Sequence, residues 1–120
     1  MQSSRNVILG FLIINEVFDV KSVSVNDLIT PNRNLKIRRY KVKIAGDKPA
    51  NGIIFVNLAN NERIKVDVSD IATNNPSELI IVTQPLNAGT YQAEITSQFS
   101  SGVLLKEPRV FLFDKVLTVH

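Results

Sequence analysis

Apolar residues recur along this chain in short runs, and no window sustains a helical period. The runs alternate or are continuous, and clusters of Asn, Asp, Gly, Ser and Pro separate them. Residues 7–20 are rich in Ile, Val and Phe and predict a long or bent first strand. Residues 23–27 and 30–34 carry loop chemistry, in which Pro31 fixes φ and Asn32 and Asn34 tolerate left-handed backbone. Ile53-Ile54-Phe55-Val56 predicts a strand buried on both faces, and Asn60-Asn61 a hairpin turn. Residues 63–68 alternate strictly, which turns Ile64, Val66 and Val68 inward. Ser69-Asp70-Ile71-Ala72 suits at most one helical turn. Leu79-Ile80-Ile81-Val82 is a further strand. Tyr91, Ala93 and Ile95 then share one face of the next. Pro108 interrupts the last segment, residues 103–119, and marks an edge or a bulge.

One stretch breaks the alternation. Leu35 and Ile37 have one parity, whereas Tyr40, Val42 and Ile44 have the other. A strand with one buried face cannot bury both sets without a slip. The slip falls at Arg38-Arg39 and requires a β-bulge or a break between two short strands.

Leu86-Asn87-Ala88-Gly89-Thr90-Tyr91 joins two of these runs. A Leu, a small residue, a Gly and a Tyr at this spacing match the tyrosine corner of Greek-key sandwiches. There the tyrosine hydroxyl bonds to backbone just upstream as the chain changes sheets. Gly89 and Tyr91 are therefore read as scaffold. With about seven strands at short spacing, the pattern predicts an all-β, immunoglobulin-like Greek-key sandwich.

At 120 residues the chain reads as one domain, with enough length for one adequate core. Residues 1–14 are either a divergent N-terminal strand or the remnant of a longer protein. Their apolar stretch follows Arg5 as a signal segment would, but no small-residue cleavage site comes after it. It is also too short to span a bilayer, and no membrane association is expected.

The absence of cysteine removes disulfides, thiolate metal sites and Cys nucleophiles. The only histidine is His120, the last residue, so a His-based triad or His-rich metal site has no material. Asp67, Asp70 and Glu78 lack the spacing and glycine turn of a calcium loop and read as solvated acids. No glycine-rich phosphate loop is present. The reading is therefore non-enzymatic, with no catalytic residues, metal or cofactor. A carbohydrate-binding sandwich finds little support, since there is no Trp and most Phe residues fall in core runs.

The net charge is a mild +3. It is unevenly placed, however. Arg33, Lys36, Arg38, Arg39, Lys41, Lys43 and Lys48 lie within sixteen residues, against one acid, Asp47. Lys41 and Lys43 share a face, outward if Val42 and Ile44 turn inward. Such a stripe suits a phosphate backbone. Exposed strands also carry Lys and Arg to block edge-to-edge pairing, and the residues alone leave both readings open. A third possibility is pairing with another copy or another protein through the apolar strand at residues 7–14.

Several segments together resemble a known family. They are Ser24-Val25-Asn26-Asp27, Leu28-Ile29-Thr30-Pro31, residues 41–47, residues 74–82, Ala88-Gly89-Thr90-Tyr91, residues 96–100 and residues 104–109. Their pattern is similar to a bacterial domain of unknown function with an Ig-like fold, found mainly in gut Bacteroides relatives. In that family the domain often follows an HU-like DNA-binding domain. The resemblance implies a nucleoid-associated, cytoplasmic protein with duplex DNA as partner. Two departures stand out: Asn32 where a Gly is expected after the Pro, and Arg38-Arg39-Tyr40 where a Gly-containing turn is expected.

Overall fold

The computed structural model describes residues 14–38, 43–75, 78–100 and 103–120. Among these, ten short strands and a single 3-10 turn account for the regular structure. The strands are β1 (Glu16–Asp19), β2 (Ser24–Val25), β3 (Asn34–Arg38), β4 (Gly52–Asn57), β5 (Arg63–Lys65), β6 (Ile71–Asn75), β7 (Glu78–Val82), β8 (Gly89–Ser100), β9 (Val103–Leu112) and β10 (Leu117–Val119). One sheet has the order β2-β1-β3-β7-β6. The other has the order β10-β8-β4-β5, with β9 also paired to β8. All strand pairs are antiparallel. The chain changes sheets after β3, β5 and β7, which is Greek-key connectivity.

Alternation builds the core. Leu35 and Ile37 of β3 face Leu79 and Ile81 of β7 in register, and all four are fully buried. Ile53 and Phe55 of β4 oppose Ile95 and Ala93 of β8. Phe111, Phe113 and Leu117 complete the same cluster. The two inner faces close on each other as the period-2 pattern requires.

Ten strands replace the expected seven or so for three local reasons. β2 is a two-residue pairing on β1. The final segment divides into β9 and β10, which lie end to end along β8. β6 lies where turn chemistry was read, because its pairing to β7 outweighs the poor strand propensity of Asn74 and Asn75. The helical turn spans Val68–Asp70, and Ile71 already belongs to β6. Val68 is not inward as the alternation suggests. β5 stops at Lys65, and Val68 is 80% exposed on the 3-10 turn.

Other expectations hold in detail. The hairpin turn forms between β4 and β5, with Asn61 at φ 61°. Asn32, standing where a Gly was expected, adopts φ 64°, and its N–H donates to Thr83 O at 2.9 Å. Asparagine tolerates this region better than other non-glycine residues, so the departure keeps the turn. Pro108 lies on the outer strand β9, beside a register shift. Of the predicted first strand, residues 16–19 form β1, while residues 7–13 lie outside the described residues. At the predicted slip β3 ends at Arg38, and residues 43–45 belong to no strand.

Candidate nucleic-acid interface

β8 carries a buried polar side chain near each end. At its start Tyr91 is fully buried, and its hydroxyl donates to Asn87 O at 2.7 Å. This is the expected corner, with Gly89 entering the strand at φ 154°. At its far end Gln98 is 3% exposed and uses every site of its amide. Its Oε1 accepts from Lys48 N and Asn51 Nδ2, both at 2.9 Å. Its Nε2 donates to Leu105 O at 3.0 Å and to Lys106 O at 3.3 Å. Its backbone N–H donates to Ala45 O.

Neighbouring residues extend this hub. Ser97 Oγ donates to Lys43 O at 2.5 Å and accepts from Ala45 N and Phe99 N. The Asn74 amide grips the Ile44 backbone on both sides, accepting from its N–H at 2.9 Å and donating to its carbonyl at 2.8 Å. Gly46 lies against Gln98 so closely that a Cβ there would meet Oε1 at 2.1 Å. Residues 43–51 are thus fixed by backbone bonds to β6 and β8 rather than by pairing in a sheet. Four of the segments that carry the family resemblance meet in this one network.

The basic run does not form one stripe. Arg33 lies at the corner end, where its carbonyl accepts from Thr83 N. Lys36 stands on the outer face of β3 between Phe18 and Ile80. Arg38 lies about 17 Å along the strand from Arg33. Its guanidinium pairs with Glu78 at 3.0 Å and Glu16 at 3.7 Å, both brought alongside by strand register. Arg39 and Lys41, with Tyr40, lie outside the described residues. Lys43 and Lys48 belong to the Gln98 hub, with Lys43 Nζ 6.0 Å from the centre of the Phe99 ring. The expected outward placement of Lys43 is only half met: it is partly buried, and Ile44 packs against the core.

Two cations at the hub escaped the sequence reading. Lys106 reaches it through its carbonyl, and Arg109 is the cross-strand partner of Ser97. Both are exposed. They lie sixty residues downstream of the basic run, and only the β8–β9 pairing unites them with it. Beside the hub, overlapping clefts of about 420 and 460 Å³ are lined by Ile44, Asn51, Lys65, Val68 and Ile71.

Two of the three acids considered for calcium are engaged elsewhere. Asp67 caps the 3-10 turn by accepting from the N–H and hydroxyl of Ser69, and Glu78 pairs with Arg38. The Ser69 hydroxyl, then its N–H, hold the Asp67 carboxyl below the usual carboxylate range. Among the described residues no three His, Asp or Glu converge to hold a metal ion. No aromatic ring among them is fully exposed. No helix among them is long and apolar enough to cross a membrane.

Residues 13–111 match the family model of a domain of unknown function with an Ig-like fold, DUF4469. The chain belongs to the DUF4469 family. The DUF4469 match takes in both the Tyr91 corner and the Gln98 hub. No curated protein matches the sequence significantly. Among solved structures, one chain from Bacteroides vulgatus is described as a "putative bacterial DNA binding protein". It is 27% identical with a TM-score of 0.83, over 90% of this chain. This chain spans 47% of that one, so it corresponds to about half of the relative's length.

Proposed function

We propose that this DUF4469 chain is a non-enzymatic accessory domain of an HU-like, nucleoid-associated DNA-binding protein of the cytoplasm. In this role it adds weak, sequence-independent phosphate contacts. The observation that carries the reading is the likeness to the Bacteroides vulgatus protein, which extends over nearly the whole chain at matching fold. That relative is roughly twice as long, which leaves room in it for a further domain. The resemblance of the signature segments to domains that follow HU-like modules supports the same placement. The mild basic excess suits a secondary role, since full non-specific binders neutralise many phosphates. The lone His120 and the lack of cysteine favour a binding module over a catalyst.

Fluorescence-anisotropy titration of a labelled duplex at several salt concentrations tests this. Binding in the range of about 10⁻⁴ to 10⁻⁶ M, weakening linearly in log salt, is expected. No binding at about 20 mM salt, well below the screening of physiological buffer, would remove the DNA reading.

A second reading, self-association or protein binding through a sheet edge, has its own observation. Val103, Leu104 and Val110 are exposed on β9, which among the described residues pairs with β8 and takes one further backbone bond at its end, from Ile14 N–H to Leu112 O at 2.8 Å. Lys106, Glu107 and Pro108 on the same strand oppose edge pairing. Light scattering across concentration tests its self-association form, which a strict monomer excludes.

A further inference from the structure

We infer that the DNA-contacting surface is the end of the sandwich organised by Gln98, with Lys43, Lys48, Lys106 and Arg109 as its phosphate ligands. The inference rests on the DNA reading above and assigns it a location. The basic run in the sequence points to residues 33–48 as a block, and the tertiary structure divides that block. Arg38 is already neutralised by Glu16 and Glu78. Lys36 lies among apolar neighbours in mid-sheet, and Arg33 is at the opposite end.

Among the described residues, what remains of the run, Lys43 and Lys48, joins two cations from β9. Lys48 and Lys106 are attached through backbone atoms to the same side chain, Gln98. Lys43 is attached through its carbonyl to Ser97, and Arg109 is paired with Ser97 across the ladder. Four cations from two distant segments thus meet around two adjacent residues. Asp47 and Glu107 are the acids on those segments, which leaves an excess of positive charge there.

The network also determines what kind of ligand fits. Lys43, Lys48 and Lys106 are on backbone held by partly buried hydrogen bonds and Arg109 is on the β8–β9 ladder, while Lys48, Lys106 and Arg109 remain exposed. Fixed anchors with free heads suit repeated anions on a polymer, because less ordering is needed on binding. The ring described at the hub, Phe99, is only half-exposed and lies 6.0 Å from Lys43 Nζ, which favours phosphate contacts over base stacking. Duplex phosphates read without sequence preference are the chemistry it matches.

The test compares Lys48→Ala/Lys106→Ala with Arg33→Ala/Lys36→Ala in the full chain, by duplex titration against salt. All four side chains reach solvent, and circular dichroism and urea unfolding check that both variants stay folded. The inference expects the hub pair to lower the log K versus log salt slope by about two, roughly one per lost phosphate contact, while the other pair leaves it unchanged. If the hub pair behaves as the parent, or both pairs lose equally, the location is wrong and the DNA reading survives. If the parent chain itself shows no salt-dependent binding, the DNA reading fails first and the location with it.

Discussion

The two ends of β8 solve the same problem differently. Each carries a long polar side chain into the protein interior, and each must satisfy its polar atoms there. Tyr91 bonds to a carbonyl four residues upstream, with Asn57 Nδ2 at 3.5 Å as its other neighbour. Gln98 bonds to Lys48, Asn51, Leu105 and Lys106. The corner is a local device, complete within one short stretch of chain. The hub ties residues 43–51 to the β8–β9 hairpin, with Lys48 fifty residues from Gln98 in the chain, and it holds residues 43–51 in place without a strand. A local motif secures the topology, whereas a distributed one shapes a surface.

Breaking the hub should cost more than breaking the corner. Gln98→Ala removes the partner of the Lys48 N–H and of the carbonyls of residues 105 and 106. About 3 kcal/mol of stability should be lost, with residues 43–51 losing amide-exchange protection. Urea unfolding followed by hydrogen exchange measures both, and a loss confined to global stability would contradict the hub's local role. Gly46→Ala should cost about 2 kcal/mol, since φ is 124° and the new Cβ overlaps Gln98 Oε1. In the double variant with Gln98→Ala the two costs should fall somewhat short of additivity, because the Oε1 and Cδ overlaps are gone while the 2.7 Å approach to the Cβ of residue 98 stays. Full additivity would show that backbone strain and the retained Cβ contact set the cost. Tyr91→Phe should cost about 1 kcal/mol, the worth of one hydroxyl bond, with residues 43–51 unaffected in exchange.

The smallest effect concerns Asp67, the cap of the 3-10 turn. Its folded carboxyl titrates below the ordinary value because Ser69 bonds to the ionised form. A depressed folded pKa adds stability above the unfolded value, and that stability is lost as pH falls through the folded one. Ser69→Ala should move the Asp67 carboxyl titration upward toward 3.8 in carbon-detected NMR. Because the side chain is solvent-exposed, the global unfolding midpoint should barely change with pH in this range. A large shift of that midpoint would mean the cap is coupled to the core.

How much of this was legible depends on how far apart the interacting atoms lie in the chain. The corner was readable because all its parts fall within residues 86–91. Asn32 at positive φ and the Asn60-Asn61 turn were readable for the same reason. The core was readable through parity, which tells which face of a strand is buried. β6 was hidden because Ile-Ala-Thr-Asn-Asn looks like turn chemistry until β7 pairs with it. Val68 was misplaced because alternation says nothing about where a strand stops. The basic run was readable as composition but not as a surface. Glu16 and Glu78 reach Arg38 only through the registers of β1 and β7 on β3.

The sequence by itself determined an all-β Greek-key sandwich, its corner and its DUF4469 kinship, since periodicity and short motifs are properties of neighbouring residues. Tertiary structure decided which cations are free and which are already spent on acids, and that Lys106 and Arg109 join Lys43 and Lys48. It also gave Gln98 its role. A glutamine in a strand is unremarkable until folding removes water from its amide, and then every one of its polar atoms must find a partner from elsewhere in the chain.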